Sequence, residues 1–511
     1  MTLVNEDIRK MMSDALSQPS ENIARSVLSA AGADPSTLEK SISTATGLVA
    51  YDLQAPAKNL YPAATPIRNR LPRVQGGTGT ATNWRQVNSL VGSGFDAMGW
   101  VPEGQRAGQM SYNTSSRAAA YATIGEEDTA TFEAINAARN FEDIQASMAM
   151  RLLQKTMLKE EMALLAGNAT LQLGTPQTPV ITASGTGATL PAATYSVIVV
   201  ALTLEGVRNS SLAGGVAVTR TITGADGKTF VLNGGSSNKS ANATQAITLG
   251  QTLAVSVTPI QGAIGYAWFV GVPGSETLQA ITSINSAAFA VPLSTGAQAA
   301  ATITTDSSTN ANAFDGLLTN ALKAGSNAYV KALSTGAPGA GTTLTPSGRG
   351  SVNEINDMLQ GMWDAAQVSP TVLYVNSRQL RDISTKCLSS ASGPLLNYFM
   401  NGDGNLNSQL TSGGIIEYYF NPFLLDGGVK IPIKIHPNVP QGVILGWCEE
   451  LPAQYQNSDT PNVAEVKCRQ DYYAIDWPIT TRQRQKGVYC EEVLAVYAPF
   501  AMGVISNIAA G

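Results

Sequence analysis

The sequence predicts an α+β protein that carries a separate all-β region inserted within it. Three observations lead to this prediction. A long β excursion over 78–125 is followed by a helix with an apolar stripe over 140–166. The region 174–305 is nearly free of charge and rich in turn residues. Helix and strand signals alternate again after residue 351.

Composition narrows the possible functions. The chain has 511 residues, a net charge of −5, 14% charged residues and one histidine, and this length predicts two or three domains. The mild acidity argues against a sequence-reading nucleic-acid protein, which would carry a basic patch. It does not argue against a wall that encloses nucleic acid.

Neither a signal peptide nor a membrane-spanning segment is predicted. The first ten residues include the charged Glu6, Asp7, Arg9 and Lys10, and no apolar signal-peptide core follows them. The longest apolar run, 195–204, is too short to cross a bilayer. The cysteines lack CxxC spacing, which predicts buried, reduced thiols at Cys387, Cys448, Cys468 and Cys490.

The first 73 residues predict an arm. Apolar residues at helical spacing make 1–50 amphipathic: Ile8, Met11, Met12 and Leu16. Four prolines then impose an extended path, because proline lacks an amide donor and restricts its predecessor: Pro56, Pro62, Pro66 and Pro72. We expect such an arm to lie on something larger.

The β excursion has no evident core of its own, since the apolar Met98 and Trp100 stand near its far end. We therefore predict that these two residues, with Glu103 and Arg106, contact a neighbouring copy of the chain. Asn140 is expected to cap the following helix, with Asp143 favourably placed near its positive end.

Region 174–305 predicts an inserted β-sandwich of immunoglobulin-like size. It holds seven charged residues in 132, against 62 in the other 379. Strands are expected at 195–203, 253–257 and 265–272, separated by Gly, Asn and Ser turns. Helical sequence on both sides, the second stretch at 314–333, indicates an insertion rather than a tail.

The C-terminal part predicts alternating helices and strands. Ser351 and Glu354 form a capping-box pattern before a helix that Pro370 ends. Ser377 is expected to cap the next helix. Strands are expected at 372–375, 431–435, 443–446, 463–476 and 488–497.

Several stretches, in this order, resemble the major capsid proteins of tailed bacteriophages with the Hong Kong 97-type fold. They are the hairpin stretch Val101-Pro102-Glu103-Gly104, the helix end 160–168, the strand–turn–helix 370–380, and the C-terminal stretches 436–440, 469–472, 476–478 and 499–501. The resemblance covers most of 73–173 and 313–508.

The resemblance implies a domain plan: an N-terminal arm (1–73), an extended loop called the E-loop (74–125), a spine helix and start of a peripheral domain (126–173), the inserted immunoglobulin- or fibronectin-like sandwich (174–305), a peripheral helix and linker (306–350), an axial domain (351–460) and return strands (461–511). It implies hexamers and pentamers in an icosahedral shell around double-stranded DNA, placed in the virion capsid and assembled in the host cytoplasm. The partners would be further copies, a portal protein, and scaffold or decoration proteins, with no membrane.

Two other functions stay open. A bacterial encapsulin-like compartment shell would share the fold and differ in its cargo. An adhesin-like binding role would rest on the insertion alone.

In some proteins of the family that this chain resembles, a covalent cross-link joins an E-loop lysine to a neighbour's asparagine. Segment 74–122 contains no lysine, so we do not expect this cross-link here.

Enzymatic chemistry is not predicted, and no catalytic residue, cofactor or metal site is assigned. The stretch 336–343 nearly spells a phosphate-binding loop, but Thr342 stands where lysine is required. His436 lies in an Ile-His-Pro context without a nucleophile motif. The acidic clusters at 126–128, 449–450 and 491–492 are expected to be solvated or to face another subunit.

Overall fold

A computed structural model describes residues 65–89, 100–106, 113–139, 143–347, 350–388, 416–424, 427–451 and 462–511. Helices and strands are mixed throughout, which confirms the predicted α+β class. The chain divides into two compact units. The first comprises Met1–Arg68, Thr123–Glu161 and Cys468–Glu492, and the second comprises Asn69–Ala122, Met162–Lys467 and Val493–Gly511.

The helices of the described residues are α1 (Phe132–Ala137), α2 (Ile144–Ala166), α3 (Leu204–Asn209), α4 (Leu317–Leu322), α5 (Asn353–Ala366) and α6 (Ser377–Leu388), with 3-10 turns at Ala300–Thr302 and Pro499–Ala501. The strands are β1 (Arg73–Val74), β2 (Ala81–Ser89), β3 (Asn113–Ala120), β4 (Ala122–Thr131), β5 (Val180–Ser184), β6 (Ala193–Leu202), β7 (Thr219–Thr223), β8 (Thr229–Asn233), β9 (Ala243–Ile247), β10 (Thr252–Ser256), β11 (Gly265–Gly271), β12 (Thr277–Thr282), β13 (Ser286–Phe289), β14 (Tyr329–Ala332), β15 (Val372–Val375), β16 (Tyr418–Asn421), β17 (Val429–Ile435), β18 (Ile444–Trp447), β19 (Ala464–Asp476), β20 (Gln483–Val496) and β21 (Met502–Ser506).

The first unit is built around helix α2. Its buried side chains Ile144, Met148 and Leu152 pack with Ala134 of α1 and Val488 of β20 in one apolar cluster. These helix residues step by four, so they fall on one face, as the sequence predicted. At 23 residues the helix is about 35 Å long.

The start of α2 differs from the prediction. The helix begins at Ile144, and Asp143 caps it, because its Oδ1 accepts hydrogen bonds from the amides of Gln145 (3.0 Å) and Ala146 (3.2 Å). The predicted cap, Asn140, lies outside the described residues. A carboxylate at this position also favours the positive end of the helix dipole.

A six-stranded mixed sheet lies in the second unit, in the order β14-β21-β18-β15-β17-β16. Helices α5 and α6 cover one of its faces: their apolar residues share a cluster with inward residues of the strands, including Met358, Ile383, Leu373, Ile431 and Ile505. The predicted strand 372–375 agrees with β15, which pairs parallel to β17 and antiparallel to β18. The other predicted strands in this part match within a few residues.

Two predicted helix caps in this part are wrong. Helix α5 begins after Val352 without a side-chain cap, and Glu354 accepts instead from the Thr345 amide at 2.9 Å. For α6 the cap is Asn376, whose Oδ1 accepts from the Arg378 amide at 3.1 Å, one residue before the predicted Ser377. At α5 the Thr345 amide therefore binds the side chain expected to complete the capping box, and at α6 the Ser377 hydroxyl donates to Asn376 instead of capping the helix. Sequence spacing does not reveal either contact.

The helical expectation for 314–333 is also wrong in extent. Helix α4 ends at Leu322, and the chain then turns through Gly325 (φ 76°) and Asn327 (φ 55°) into strand β14. Left-handed backbone at two positions cannot continue a right-handed helix, and glycine and asparagine tolerate it best.

The predicted insertion contains two antiparallel sheets, ordered β13-β10-β5 and β12-β11-β6-β9. Residues of both sheets share one apolar core, with Trp268 and Leu253 fully buried at its centre. The opposite face of β6, β11 and β12 builds a second core around Phe269 and Val200, closed by Val216 and Ile303. Strand β6 is therefore covered on both faces, which explains its unbroken apolar run.

Candidate assembly surface

Strands β2 and β3 form the predicted hairpin. They pair antiparallel from Ala81 opposite Ala120 to Val87 opposite Thr114. On one face Arg117 donates to Gln86 (2.8 Å), and Gln86 donates to Asn88 (3.0 Å). This polar ladder fixes the register of a ribbon that pairs with no third strand among the described residues.

Strand β2 of the hairpin is tied to the rest of the second unit. The Trp84 indole donates to the carbonyl of Val496 at 3.0 Å, and the Val87 amide donates to the carbonyl of Tyr497 at 2.8 Å. Asn327 donates from its side chain to the carbonyl of Asn88 at 2.8 Å. Trp84 therefore anchors the hairpin, a role that the sequence did not reveal.

The far end of the hairpin is exposed. Trp100 is 85% exposed, and Glu103 and Arg106 are exposed beside it. A turn shapes this end: the Gln105 amide donates to the Pro102 carbonyl (3.1 Å), and Gly104 has φ 78°. Three of the four predicted contact residues thus lie together at the surface, and Met98 is outside the described residues.

A buried polar anchor lies in the first unit. The Glu161 carboxylate accepts from two successive backbone amides, Ile67 at 2.9 Å and Arg68 at 2.7 Å. The Arg68 side chain donates to Glu160 at 3.0 Å and lies over the Tyr472 ring, 5.1 Å from its centroid. Both carboxylates are fully buried, so the predicted arm is fixed to α2 at Ile67 and Arg68.

The ends of the inserted region lie close together. The Gly174 amide donates to Asp306 at 2.7 Å, and the Asn168 side chain donates to the Ser308 carbonyl at 2.9 Å. Both contacts join residues that are more than 130 positions apart. These contacts bring the two ends of region 174–305 next to each other.

The inserted region is also docked away from its ends. Asn285 is fully buried, and its side-chain oxygen accepts from the Asn507 side chain at 2.9 Å. The backbone amide of Asn285 donates to Asn507 Oδ1, also at 2.9 Å. Asn285 further donates to Thr335 at 2.8 Å. We call this reciprocal pair the Asn285–Asn507 latch.

The loop that resembles a phosphate-binding sequence has a packing role. It closes on itself through the Gly341 amide, which donates to the Ala337 carbonyl at 2.8 Å. Its Gly339 amide donates to Ser286 at 3.1 Å, and a Cβ at Gly339 would lie 2.6 Å from Ala288. The loop is therefore a tight turn against β13.

Most acidic residues of the predicted clusters have partners within the chain. Burial opposes the ionisation of Glu126, yet hydrogen bonds and charge from Lys159 and Lys155 hold its pKa below the usual value. A hydrogen bond from Arg469 similarly lowers the pKa of Glu491. Glu127 accepts from the Tyr489 hydroxyl. These carboxylates support the fold of the first unit.

The remaining candidate chemistry is structural as well. His436 is buried, and its Nδ1 accepts from the Asn438 amide at 3.0 Å, which closes a turn after β17. Within the described ranges no three His, Cys, Asp or Glu side chains are grouped to hold a metal ion. None of the helices there is long and apolar enough to cross a membrane.

Comparison with known proteins gives low similarity. No protein-family model matches the chain, and no curated protein matches it. Among solved structures it is similar to the capsid of a native GTA particle (TM-score 0.39, 10% identity, 88% of this chain and 91% of that one). It is also similar to the holo-SrpI encapsulin of Synechococcus elongatus PCC 7942 (0.36, 9%, 91% and 94%) and to a structure of Mycobacterium phage Bobi (0.37, 10%, 90% and 94%).

Proposed function

We propose that this chain is a structural major capsid protein with the Hong Kong 97-type fold. Copies would form the hexamers and pentamers of an icosahedral shell that encloses double-stranded DNA, without a catalytic role. The observation that carries the proposal is the hairpin β2–β3, which is anchored along β2 and presents Trp100 to solvent. An exposed tryptophan on a rigid extended ribbon is suited to burial against a second copy.

The anchored arm segment supports the same proposal. Glu161 accepts from two backbone amides within the predicted arm, those of Ile67 and Arg68, so the rest of the arm would start from a fixed point. A fixed origin lowers the entropy lost when an arm binds a neighbouring copy. Portal, scaffold or decoration proteins would be the further partners of such a shell.

We also propose that the inserted region is an immunoglobulin-like module displayed by the shell. Strands β5, β6, β9, β10, β11 and β12 occupy the places of strands B, C, C′, E, F and G of that fold, in chain order. The departure is β13, which follows the G position in the chain and pairs beside E, where strand D normally lies. An edge-strand replacement leaves the core shared by the two sheets intact.

Electron microscopy of the purified protein tests the shell proposal. We expect closed particles from the natural sequence and few from Trp100→Ala or from deletion of 90–110, while the protein stays folded. Leu249→Ala is the matched control, since Leu249 is 75% exposed on the inserted region. Normal particle yields from the deletion would refute the assembly role of the hairpin.

The cargo of native particles separates the two shell functions. Nuclease-protected double-stranded DNA inside the particles would support the capsid. A protein cargo without DNA would instead favour an encapsulin-like compartment with the same fold.

A further inference from the structure

At one edge of the six-stranded sheet, the adjacent strands β16 and β17 carry aromatic and basic side chains on one face. Tyr418 pairs opposite Pro432, and Phe420 pairs opposite Lys430. Directly opposite residues share a face, and Lys434 joins them because it is two residues from Pro432. The alternate residues, among them Tyr419 and Ile431, point into the core beneath α5 and α6. We call the outward set Tyr418, Phe420, Lys430, Pro432 and Lys434 the aromatic–lysine face.

This face is open to solvent and carries positive charge. Tyr418 is 57% and Phe420 is 56% exposed. Within the part of the chain that the structure describes, neither the Lys430 nor the Lys434 side chain has a hydrogen bond or an ion pair. Glu417, the acidic residue just before β16, falls on the opposite alternation. Two cations therefore stand beside two aromatic rings, and neither β16 nor β17 places an acidic residue on this face.

The Phe420 ring is held in place before any ligand binds. Gly428 has φ 104°, and a Cβ at this position would lie 2.6 Å from Cζ of Phe420. The ring thus rests against bare backbone, where any other residue would displace it. A ring fixed in this way loses little side-chain freedom when a second flat group stacks upon it.

We propose that the aromatic–lysine face binds single-stranded nucleic acid without sequence preference, a function beyond that of a shell subunit. Residues two apart on a strand are about 7 Å apart, so Tyr418 and Phe420 each offer a ring to one base. Lys430 and Lys434, about 13 Å apart, lie at the two ends and neutralise phosphates. Lysine is depleted from protein–protein interfaces, which favours a polyanion over a second copy of the chain.

Fluorescence anisotropy with a labelled oligo(dT) of about 16 nucleotides tests the proposal on the full chain. Tyr418→Leu with Phe420→Leu keeps apolar bulk and removes both rings, and we expect affinity to fall at least about tenfold, because stacking contributes about 1–3 kcal/mol per base. Lys430→Gln with Lys434→Gln should reduce the slope of log affinity against log salt by about 1.4. Phe230→Leu and Lys228→Gln, exposed on the inserted region, are matched controls that should change neither quantity.

Three results would overturn the proposal: no oligo(dT) binding at low salt, binding that the ring variants leave unchanged, or equal affinity for a duplex of the same length. Loss of self-association in the ring variants, with oligo(dT) affinity unchanged, would assign the face to contact between copies. Particle formation is scored in the same samples. Variants that assemble normally and lose oligo(dT) binding separate this function from the shell function.

Discussion

The hairpin β2–β3 and the inserted region are both β structure, yet they differ in where their stability arises. The inserted region buries Trp268 completely between two sheets and builds a second core on the far side of β6. The hairpin has a single layer, a polar ladder, and a tryptophan that is 85% exposed at its far end. An isolated two-stranded ribbon is only marginally stable in water. The comparison indicates that one region is stable within the chain, and we propose that the other is completed by a neighbouring copy.

The largest expected effect follows from replacing each tryptophan in turn. Trp268→Ala should lower the free energy of unfolding by about 3–5 kcal/mol, since it leaves a cavity and removes a 2.8 Å hydrogen bond to Thr282. Trp100→Ala should change it by less than about 0.5 kcal/mol in the unassembled chain. Urea unfolding of unassembled protein measures both, and equal losses would contradict the comparison.

The polar cluster of Arg68, Glu160 and Glu161 should contribute as much to the free energy of unfolding as a buried apolar cluster. Arg68→Ala leaves the fully buried Glu160 without its cation, and we expect a loss of about 3–5 kcal/mol. Arg482→Ala, which breaks an exposed pair with Glu133, is the control and should cost less than about 1 kcal/mol. If thermal unfolding shows similar losses for both, the anchor does not support the first unit.

Removing the inserted region tests how independent it is. Replacement of 176–304 by a short Gly-Ser linker should still allow shells, seen in micrographs without surface knobs, because the ends lie side by side. The deletion also removes the Asn285–Asn507 latch, so stability should fall by about 1–3 kcal/mol. Asn285→Ala isolates that part of the loss, with the exposed Asn312→Ala as control. Failure to assemble would make the insertion integral to the lattice.

The last prediction, with the smallest expected effect, is that neighbouring copies are not joined by covalent bonds. Segment 74–122 has no lysine, and burial raises the pKa of Cys387 to about 11 and that of Cys448 to about 12. At neutral pH these thiols are protonated and unreactive. Boiled particles should therefore run as a single monomer band with or without reductant. Oligomers that survive boiling would show that neighbouring copies are joined.

Local pattern was sufficient for much of the fold. The strands around β15, β17, β18 and β19 were predicted within a few residues, because their apolar runs are short and bounded by turn residues. Helix α2 was evident from its apolar stripe. The helix caps could not be identified from the sequence, because Ser351 and Ser377 satisfy the capping pattern while Val352 and Asn376 occupy the capping positions. Capping depends on the backbone conformation of one residue, which the pattern does not fix.

For the candidate sites, the sequence by itself determined which residue types were available: an apolar hairpin end at Trp100, a charge-poor insertion, and no lysine in 74–122. Tertiary structure alone decided the partnerships. Glu161 meets the amide of Ile67 across 94 positions, and Asn285 meets Asn507 across 222. Such pairs form because burial requires each polar group to find a partner, and the partner is chosen by the packing of whole elements.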